Sequence, residues 1–238
     1  MNDRIGTAGW SIPAGVRDRF PAEGTSLERY AARFACAEIN SSFHRPHRPA
    51  TYRRWAESVP DGFRFAVKVP KTITHLQRLI DCDALLAAFA EQCAPLESKL
   101  AVLLVQLPPS LAFDAAFDVF FSAAQARTDA AIACEPRHGS WFDADVDGWL
   151  ADRRIARVAA DPARHPLADR PGGWAGLRYF RLHGSPVIYR SAYERDALAP
   201  IAEAIRADPA NSWCIFDNTA SSAATGDALT LREMVASP

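Results

Sequence analysis

The fold class this sequence predicts is an α/β protein, a (β/α)8 TIM barrel in a single domain. Three observations predict it. Eight short apolar runs of β character, each followed by a helix-like stretch or a long loop, occupy the 238 residues. That is about 30 residues per unit, the size of a βα repeat, and such alternation implies a parallel sheet. Leu100 to Val105 is apolar throughout, the pattern of a strand buried on both faces. Polar residues then recur at the C-terminal ends of the apolar runs, the face on which barrel active sites are built. An open doubly wound sheet would usually carry a glycine-rich first turn, and no G-x-G-x-x-G or G-x-x-x-x-G-K-[ST] occurs. No linker or low-complexity tract divides the chain, so residues 1–238 read as one domain.

The elements follow in order. Ile5-Gly6-Thr7 is the first strand. Ser26, an N-cap type, opens a helix with Leu27, Tyr30, Ala31 and Phe34 on one face. Ala37 to Asn40 is the second strand, and Thr51 to Ser58 is helical. Phe63 to Val69 is the third strand, stopped by Pro70. Asp81 caps a helix whose stripe is Leu85, Leu86, Phe89 and Cys93. Leu100 to Val105 is the fourth strand. Asp114 opens a helix with Phe117, Phe120, Phe121 and Ala124 inward. Ala131 to Glu135 is the fifth strand, with a helix from Asp145 to Arg153. Ala156 to Ala160 is a weak sixth strand, followed by a loop from Pro162 to Gly176. Leu177 to Leu182 is the seventh, and Glu194 to Arg206 is a helix with Leu198, Ile201 and Ile205 inward. Ser212 to Phe216 is the eighth, and the last helix ends near Val235. Strands three, four and eight are expected as parallel neighbours, with Lys68, Gln106 and Asp217 at one rim.

Composition excludes several function classes. The chain is 49% hydrophobic and 23% charged, with a net charge of −1. That is an ordinary globular composition, and it argues against attachment to DNA or membrane by bulk charge. The five cysteines are odd in number and form no C-x-x-C pair, so neither a disulfide framework nor a structural zinc site is expected. Without an apolar segment after Met1-Asn2-Asp3-Arg4, no signal peptide is expected and the cytoplasm is the expected compartment. No apolar run is long enough to span a bilayer.

Function is written at the strand ends. Strand two ends in Glu38 and Asn40. Strand three ends in Lys68, with Lys71 and His75 beyond. Strand four ends in Gln106. Strand five ends in Glu135, followed by Arg137 and His138. Strand six ends in Asp161. Strand seven carries Arg181 and His183, and strand eight ends in Asp217-Asn218. Period two puts Glu38 with Asn40, and Arg181 with His183, on one side of their strands. Charges brought together at a mouth must pair with one another or bind a ligand. Mutual pairing would give a salt-bridge lattice over the barrel. The functional reading is an anion clamp of Lys68, Lys71, Arg137 and Arg181, with Glu38, Glu135, Asp217 or His183 for proton transfer. On that reading Lys68→Met and Arg181→Met should leave stability unchanged or raised. Trp10, Phe43, Trp141, Tyr189 and Tyr193 fall in the same loops, either as a core lid or as surfaces that stack on a ligand; Trp141 and Tyr189 are counted with the binding residues. The six histidines lack H-E-x-x-H spacing, and His47 and His165 are expected at the surface. Glu38, Glu135, His183 and Asp217 could hold a divalent metal, though no spacing enforces it. No cofactor is expected beyond a weak Mg2+ or Mn2+ site, and no stoichiometric zinc.

Seven segments carry a family resemblance. They are Gly6 to Trp10, Glu38 to Phe43, Phe63 to His75, Gln106 to Ser110, Glu135 to His138, Arg181 to Ser185 and Phe216 to Thr219. Spanning nearly the whole chain in order, they resemble the YecE-like proteins, domain-of-unknown-function family 72. The resemblance implies a TIM barrel and no established reaction. Three segments depart from it: His44 stands where Tyr is common, Pro136 and Gly139 where Phe and Pro are usual, and Asp227 where Asn is common. The first two segments touch the proposed mouth.

The leading expectation is an enzyme, a hydrolase or lyase, that binds a small or flexible anionic substrate at the mouth. A metal-dependent phosphodiesterase or nuclease is the alternative enzyme, with nucleic acid a less favoured partner. A non-catalytic binding or regulatory barrel is the third class. The sequence indicates no membrane partner, and it does not indicate an oligomeric state.

Overall fold

The computed structural model describes residues 4–236. The strands are β1 (Arg4–Thr7), β2 (Cys36–Ile39), β3 (Arg64–Lys68), β4 (Leu100–Gln106), β5 (Ala131–Glu135), β6 (Ile155–Arg157), β7 (Ala159–Asp161), β8 (Gly172–Gly173), β9 (Arg178–Leu182) and β10 (Ser212–Phe216). The helices are α1 (Ser26–Ala31), α2 (Pro49–Glu57), α3 (Asp83–Cys93), α4 (Asp118–Gln125), α5 (Ala144–Asp152), α6 (Arg195–Ala207) and α7 (Ala224–Ala236). One sheet runs β2-β3-β4-β5-β6-β8 and the other β1-β10-β9-β7. Every pairing is parallel except the short β6–β8 pair.

Two seams close these sheets into a barrel. The first is the expected sixth strand, which splits at Val158. Its first half, β6, pairs with β5, and its second half, β7, pairs with β9. At the second seam β1 and β2 meet only through a bridge between Ala8 and Glu38, where the Gly9 N–H donates to the Glu38 carbonyl at 2.8 Å. β10 therefore lies between β9 and β1, not beside β3 and β4 as expected. The shared rim survives because the barrel strands are all parallel.

Other departures have local causes. No helix follows β7 among the described residues. The segment read as a loop contains β8, antiparallel to β6. Arg157 pins this segment, donating from Nε to Asp147 (2.7 Å) and from Nη1 to the Leu167 carbonyl (2.8 Å). The cap of α1 is Thr25 rather than Ser26, because Glu28 completes a reciprocal capping box with Thr25. Asp81 does not cap α3; its φ is +49° and Cys82 precedes the helix. Leu85 is 40% exposed, outside the stripe. Asp114 does cap, but it caps a 3-10 turn that leads into α4.

The core has two parts. The larger packs the helices onto the outer barrel wall. The smaller fills the interior with Cys36, Ala66, Val102, Leu104, Ala133, Ala156, Val158, Tyr179, Trp213 and Ile215 among others. These are alternate strand residues, as period two requires. Two residues further along the same strands stand Glu38, Lys68, Gln106, Glu135, Arg181 and Asp217. The polar mouth is the top layer of the barrel interior.

The β1–β2 seam depends on a side chain. Below the Ala8–Glu38 bridge, the buried Tyr30 hydroxyl accepts from the Thr7 N–H (2.8 Å) and donates to the Cys36 carbonyl (3.2 Å). It replaces ladder bonds that the two strands do not make directly. Gly6 makes room, since a Cβ there would lie 2.3 Å from the Cys36 carbonyl oxygen. Tyr30→Phe should leave the buried Thr7 N–H unsatisfied, lowering stability by about 1–3 kcal/mol. Thermal unfolding should show Tm lower by roughly 2–10 °C; an unchanged Tm would mean that the seam does not need the hydroxyl.

Candidate active site at the barrel mouth

Arg181, on β9, organises the mouth. Its side chain is fully buried and meets three carboxylates. Nη2 and Nε reach Glu38 (2.8 and 3.0 Å), Nη1 reaches Glu135 (3.1 Å), and Nη2 reaches Asp217 (2.9 Å). Nη1 also lies 3.3 Å from the Gln106 side-chain oxygen. Below it on the same strand face, the Tyr179 hydroxyl donates to Glu38 at 3.1 Å. Sequence reasoning missed Tyr179, although it lies two residues before Arg181 and shares its period.

His183 sits above Arg181. Its Nδ1 is 3.1 Å from Asp217, and its Nε2 is 2.9 Å from Glu135. Arg137 Nη2 pairs with Glu135 and also lies 3.1 Å from His183 Nε2. These contacts at Nε2 exclude one another. With Nε2 protonated, the ring donates to Glu135; with Nε2 bare, it accepts from Arg137 while Nδ1–H donates to Asp217. One ring nitrogen can thus exchange a proton while Asp217 holds the other.

Burial pushes the Glu135 carboxyl upward, but His183, Arg181 and Arg137 outweigh it and hold the group well below the ordinary carboxylate range. Asp217 is likewise raised by burial, and Arg181 and the His183 hydrogen bond bring it below its usual value. Both are carboxylates at neutral pH.

Lys68 differs from the other cations. The residue is 6% exposed, and among the described residues no carboxylate lies within ion-pair distance of its ammonium. The nitrogen lies over the Phe43 ring, 4.2 Å from its centre. Burial lowers its pKa from 10.5 to about 8; Arg181 adds to the shift, and Glu38, Asp217 and Glu135 pull the other way. Arg137 is also incompletely matched, since its buried Nε has no partner among the described residues.

The remaining expected site residues divide. Asn40 donates to Asp217 at 3.3 Å and belongs to the cluster. His75, on a π turn (Thr72–Leu76), stacks edge-on against Phe43; burial, then Lys68 and Arg137, lower its pKa. Tyr189 is 43% exposed at φ +68°, with its ring edge-on to His183 at 5.7 Å, as a cover over the mouth. Asp161 accepts from the Tyr193 hydroxyl at 2.6 Å. Lys71 is exposed at the start of the π turn. His138 caps the turn after β5, its Nδ1 accepting from the Ser140 N–H. Trp141 is fully buried, donates to the Leu111 carbonyl (2.9 Å) and stacks on Phe117, so it offers no surface to a ligand. Asn218 is bound to Ser191 and Asp227, tying two loops together. His47 and His165 are half-buried rather than on the surface, packed on Trp55 and Phe142. All six histidines lie in segments that follow a barrel strand. An open depression lined by Gly9, Trp10, Ser11, Asn40 and His44 reaches Glu38. Glu38, Glu135 and Asp217 all turn onto Arg181, and among the described residues no three His, Cys, Asp or Glu side chains converge as a metal site.

A barrel with this mouth defines the class: a TIM-like α/β barrel with a buried ionic cluster at its C-terminal face. Residues 4–238 match the family described as "Protein of unknown function DUF72". The chain belongs to that family. The UPF0759 protein YecE of Escherichia coli K12 is 38% identical over 104 residues, covering 44% of this chain and 37% of that protein. The UPF0759 protein YunF of Bacillus subtilis is 24% identical over 174 residues, 70% of this chain and 60% of that one. The matches thus span less than two thirds of either relative. Two DUF72 crystal structures share the fold. That from Enterococcus faecalis has TM-score 0.81, 20% identity and coverage of 99% of this chain and 96% of its own. That from Thermotoga maritima has TM-score 0.78, 23% identity and coverage of 98% and 99%. A D-psicose 3-epimerase solved with D-fructose superposes at TM-score 0.52 with 13% identity, covering 97% and 94%, a likeness of fold alone. Among the described residues no helix is long and apolar enough to cross a membrane.

The two cations should respond oppositely to substitution. Arg181→Met would strand three buried carboxylates and should cost about 3–5 kcal/mol or more, contrary to the expectation from sequence. Lys68 binds fewer protons folded than unfolded between its lowered value near 8 and 10.5. The Lys68 contribution to stability should therefore rise with pH across that window, while the buried Cys93 and Cys134 thiols, pushed up by burial, act in the opposite sense. The pH-dependent difference between the wild type and Lys68→Met isolates the Lys68 part. At neutral pH Lys68→Met should be neutral or stabilising by up to about 3 kcal/mol. Denaturant unfolding from about pH 7 to 10.5 measures both effects; a strongly destabilised Lys68→Met would show that the ammonium is paired.

Proposed function

We propose that the chain is an enzyme that binds a small anionic substrate, bearing a phosphate or carboxylate, at the barrel mouth. One observation carries this reading: Lys68 is a buried cation with no protein counter-ion among the described residues. Holding such a charge in place costs stability unless an anion arrives. The other permanent charges around it balance differently. Arg181 is committed to Glu38, Glu135 and Asp217, so the substrate-facing cations are Lys68 and Arg137.

The proton carrier on this reading is His183 Nε2, with Asp217 orienting the ring through Nδ1. An incoming anion that drew Arg137 toward itself would uncover the Nε2 lone pair. Binding and proton transfer are then coupled through one guanidinium. Such a site suits hydrolysis or elimination on a substrate whose charged group sits at Lys68 and Arg137. Tyr189, over His183, would exclude water from the bound substrate.

Inorganic phosphate is the simplest probe. It should raise the Tm of the wild type by mass action and raise it less for Lys68→Met and for Arg137→Met. Phosphate, sulfate and nucleotides that all leave the wild-type melting curve in place would remove the anion site. A turnover screen of phosphate esters and carboxylates, with and without added Mg2+ or Mn2+, then separates a metal-independent enzyme from a metal-dependent phosphodiesterase and from a binding barrel.

A further inference from the structure

From its geometry we infer that Lys68 is a nucleophile that forms an imine with the carbonyl carbon of its substrate, which makes the ligand a small anionic oxo compound. This rests on the anion-binding reading above and adds a covalent step to it.

Two independent observations support it. The first is placement. Lys68 ends β3 in the top layer of the barrel interior, against the Phe43 ring and with no carboxylate within ion-pair distance among the described residues. His183, bonded to Asp217 at 3.1 Å, sits just above that layer. A carbonyl carbon that reached Nζ would meet an amine not tied to a counter-ion. The second observation is composition. Only three of the 27 lysines and arginines are lysines: Lys68, Lys71 and Lys99. In this chain a positive charge is almost always supplied by arginine. Arg181 fills the one buried position in the mouth that needs only charge and hydrogen bonds. A guanidinium stays protonated and cannot attack a carbonyl, whereas an ammonium can lose its proton and do so. Lys99 is explained otherwise, since its ammonium donates to the Ala56 and Val59 carbonyls, each at 2.7 Å.

Burial supports the same chemistry. With a pKa lowered to about 8, Lys68 holds roughly two orders of magnitude more neutral amine at pH 7 than an ordinary lysine. The step balances without an oxidant or reductant. The Nζ lone pair forms the C–N bond, and the carbonyl π pair moves to oxygen, which takes a proton from His183. The nitrogen gives a proton back to His183. The hydroxyl then takes that proton and leaves as water, while the nitrogen lone pair forms C=N. Net, the carbonyl oxygen leaves as water carrying the His183 proton and one amine hydrogen, and the iminium keeps the other amine hydrogen and the positive charge. The iminium is an electron sink for breaking an adjacent C–H or C–C bond, which is lyase chemistry.

The test traps the imine by reduction in the full chain. Wild-type protein is incubated separately with pyruvate, dihydroxyacetone phosphate and formaldehyde, each with cyanoborohydride near pH 7, and the adducts are located by peptide mass spectrometry. The expected result is a secondary amine on Lys68 in about tenfold or greater excess over Lys71 and Lys99. Lys68→Arg should carry no such adduct yet keep a Tm shift with phosphate. The Lys71→Arg/Lys99→Arg double variant, which leaves Lys68 in place, should label as the wild type does, so the result does not depend on Lys68→Arg folding. If none of the three carbonyls labels Lys68 while phosphate still raises the wild-type Tm, the imine is wrong and the anion site stands. Labelling spread evenly over the three lysines also overturns it. Labelling of Lys68 by formaldehyde without any phosphate shift would instead sink the anion-binding reading.

Discussion

One guanidinium decides the character of this barrel. Arg181 stands in the top layer of the interior, fully buried, and takes the charge of Glu38, Glu135 and Asp217 together. Three carboxylates this close would repel strongly without a cation among them. With Arg181 in place they become fixed acceptors for further donors. His183 meets both Glu135 and Asp217, Arg137 meets Glu135, Asn40 meets Asp217, and Tyr179 meets Glu38 from below. The lattice and the site are therefore not rival descriptions. The lattice is the floor on which the site is built.

That floor also explains why Lys68 is unusual. Glu38, Glu135 and Asp217 match Arg181, Arg137 and Lys68 in number, but Arg181 draws all three toward itself. The balance of charge is met while one ammonium remains without a contact partner. Its ammonium lies over an aromatic face, which adds little to a cation compared with a carboxylate. A buried amine in this position responds to protons and anions more readily than a paired one. Arg137 shares Glu135 with Arg181 and His183, and on the proposed reading it is the cation that an incoming anion draws away.

Closure of the barrel is what brings these groups within reach. β9 meets β2 across the interior only because the sixth strand divides between two neighbours and because Tyr30 stitches β1 to β2. The loops above carry structural duties of their own. His138 caps a turn, Asn218 joins two loops, Tyr193 fixes Asp161, and Arg157 pins the segment that replaces a helix. Much of the polarity at the mouth therefore holds loops in place, and the part free to meet a ligand is smaller than the number of polar residues suggests.

The barrel, the order of its strands along the chain and the polar layer at the strand ends are all legible in the sequence. Glu38, Lys68, Gln106, Glu135, Arg181, His183 and Asp217 were legible because each continues the two-residue period of an apolar run. Period and polarity are local quantities, carried by a few consecutive residues. The family resemblance was legible for the same reason, in segments that sit at those strand ends. Which charges meet is settled by the closed fold. Arg181 and Glu38 are 143 positions apart, and nothing local distinguishes the cation that will be saturated from the one that will be left free. The same holds for Trp141, whose ring turns into the core, and for Tyr30, whose hydroxyl completes a seam between strands it does not belong to. These outcomes depend on strand neighbours, on the stagger of a closed barrel and on side-chain reach, which become defined only when the last strand closes against the first.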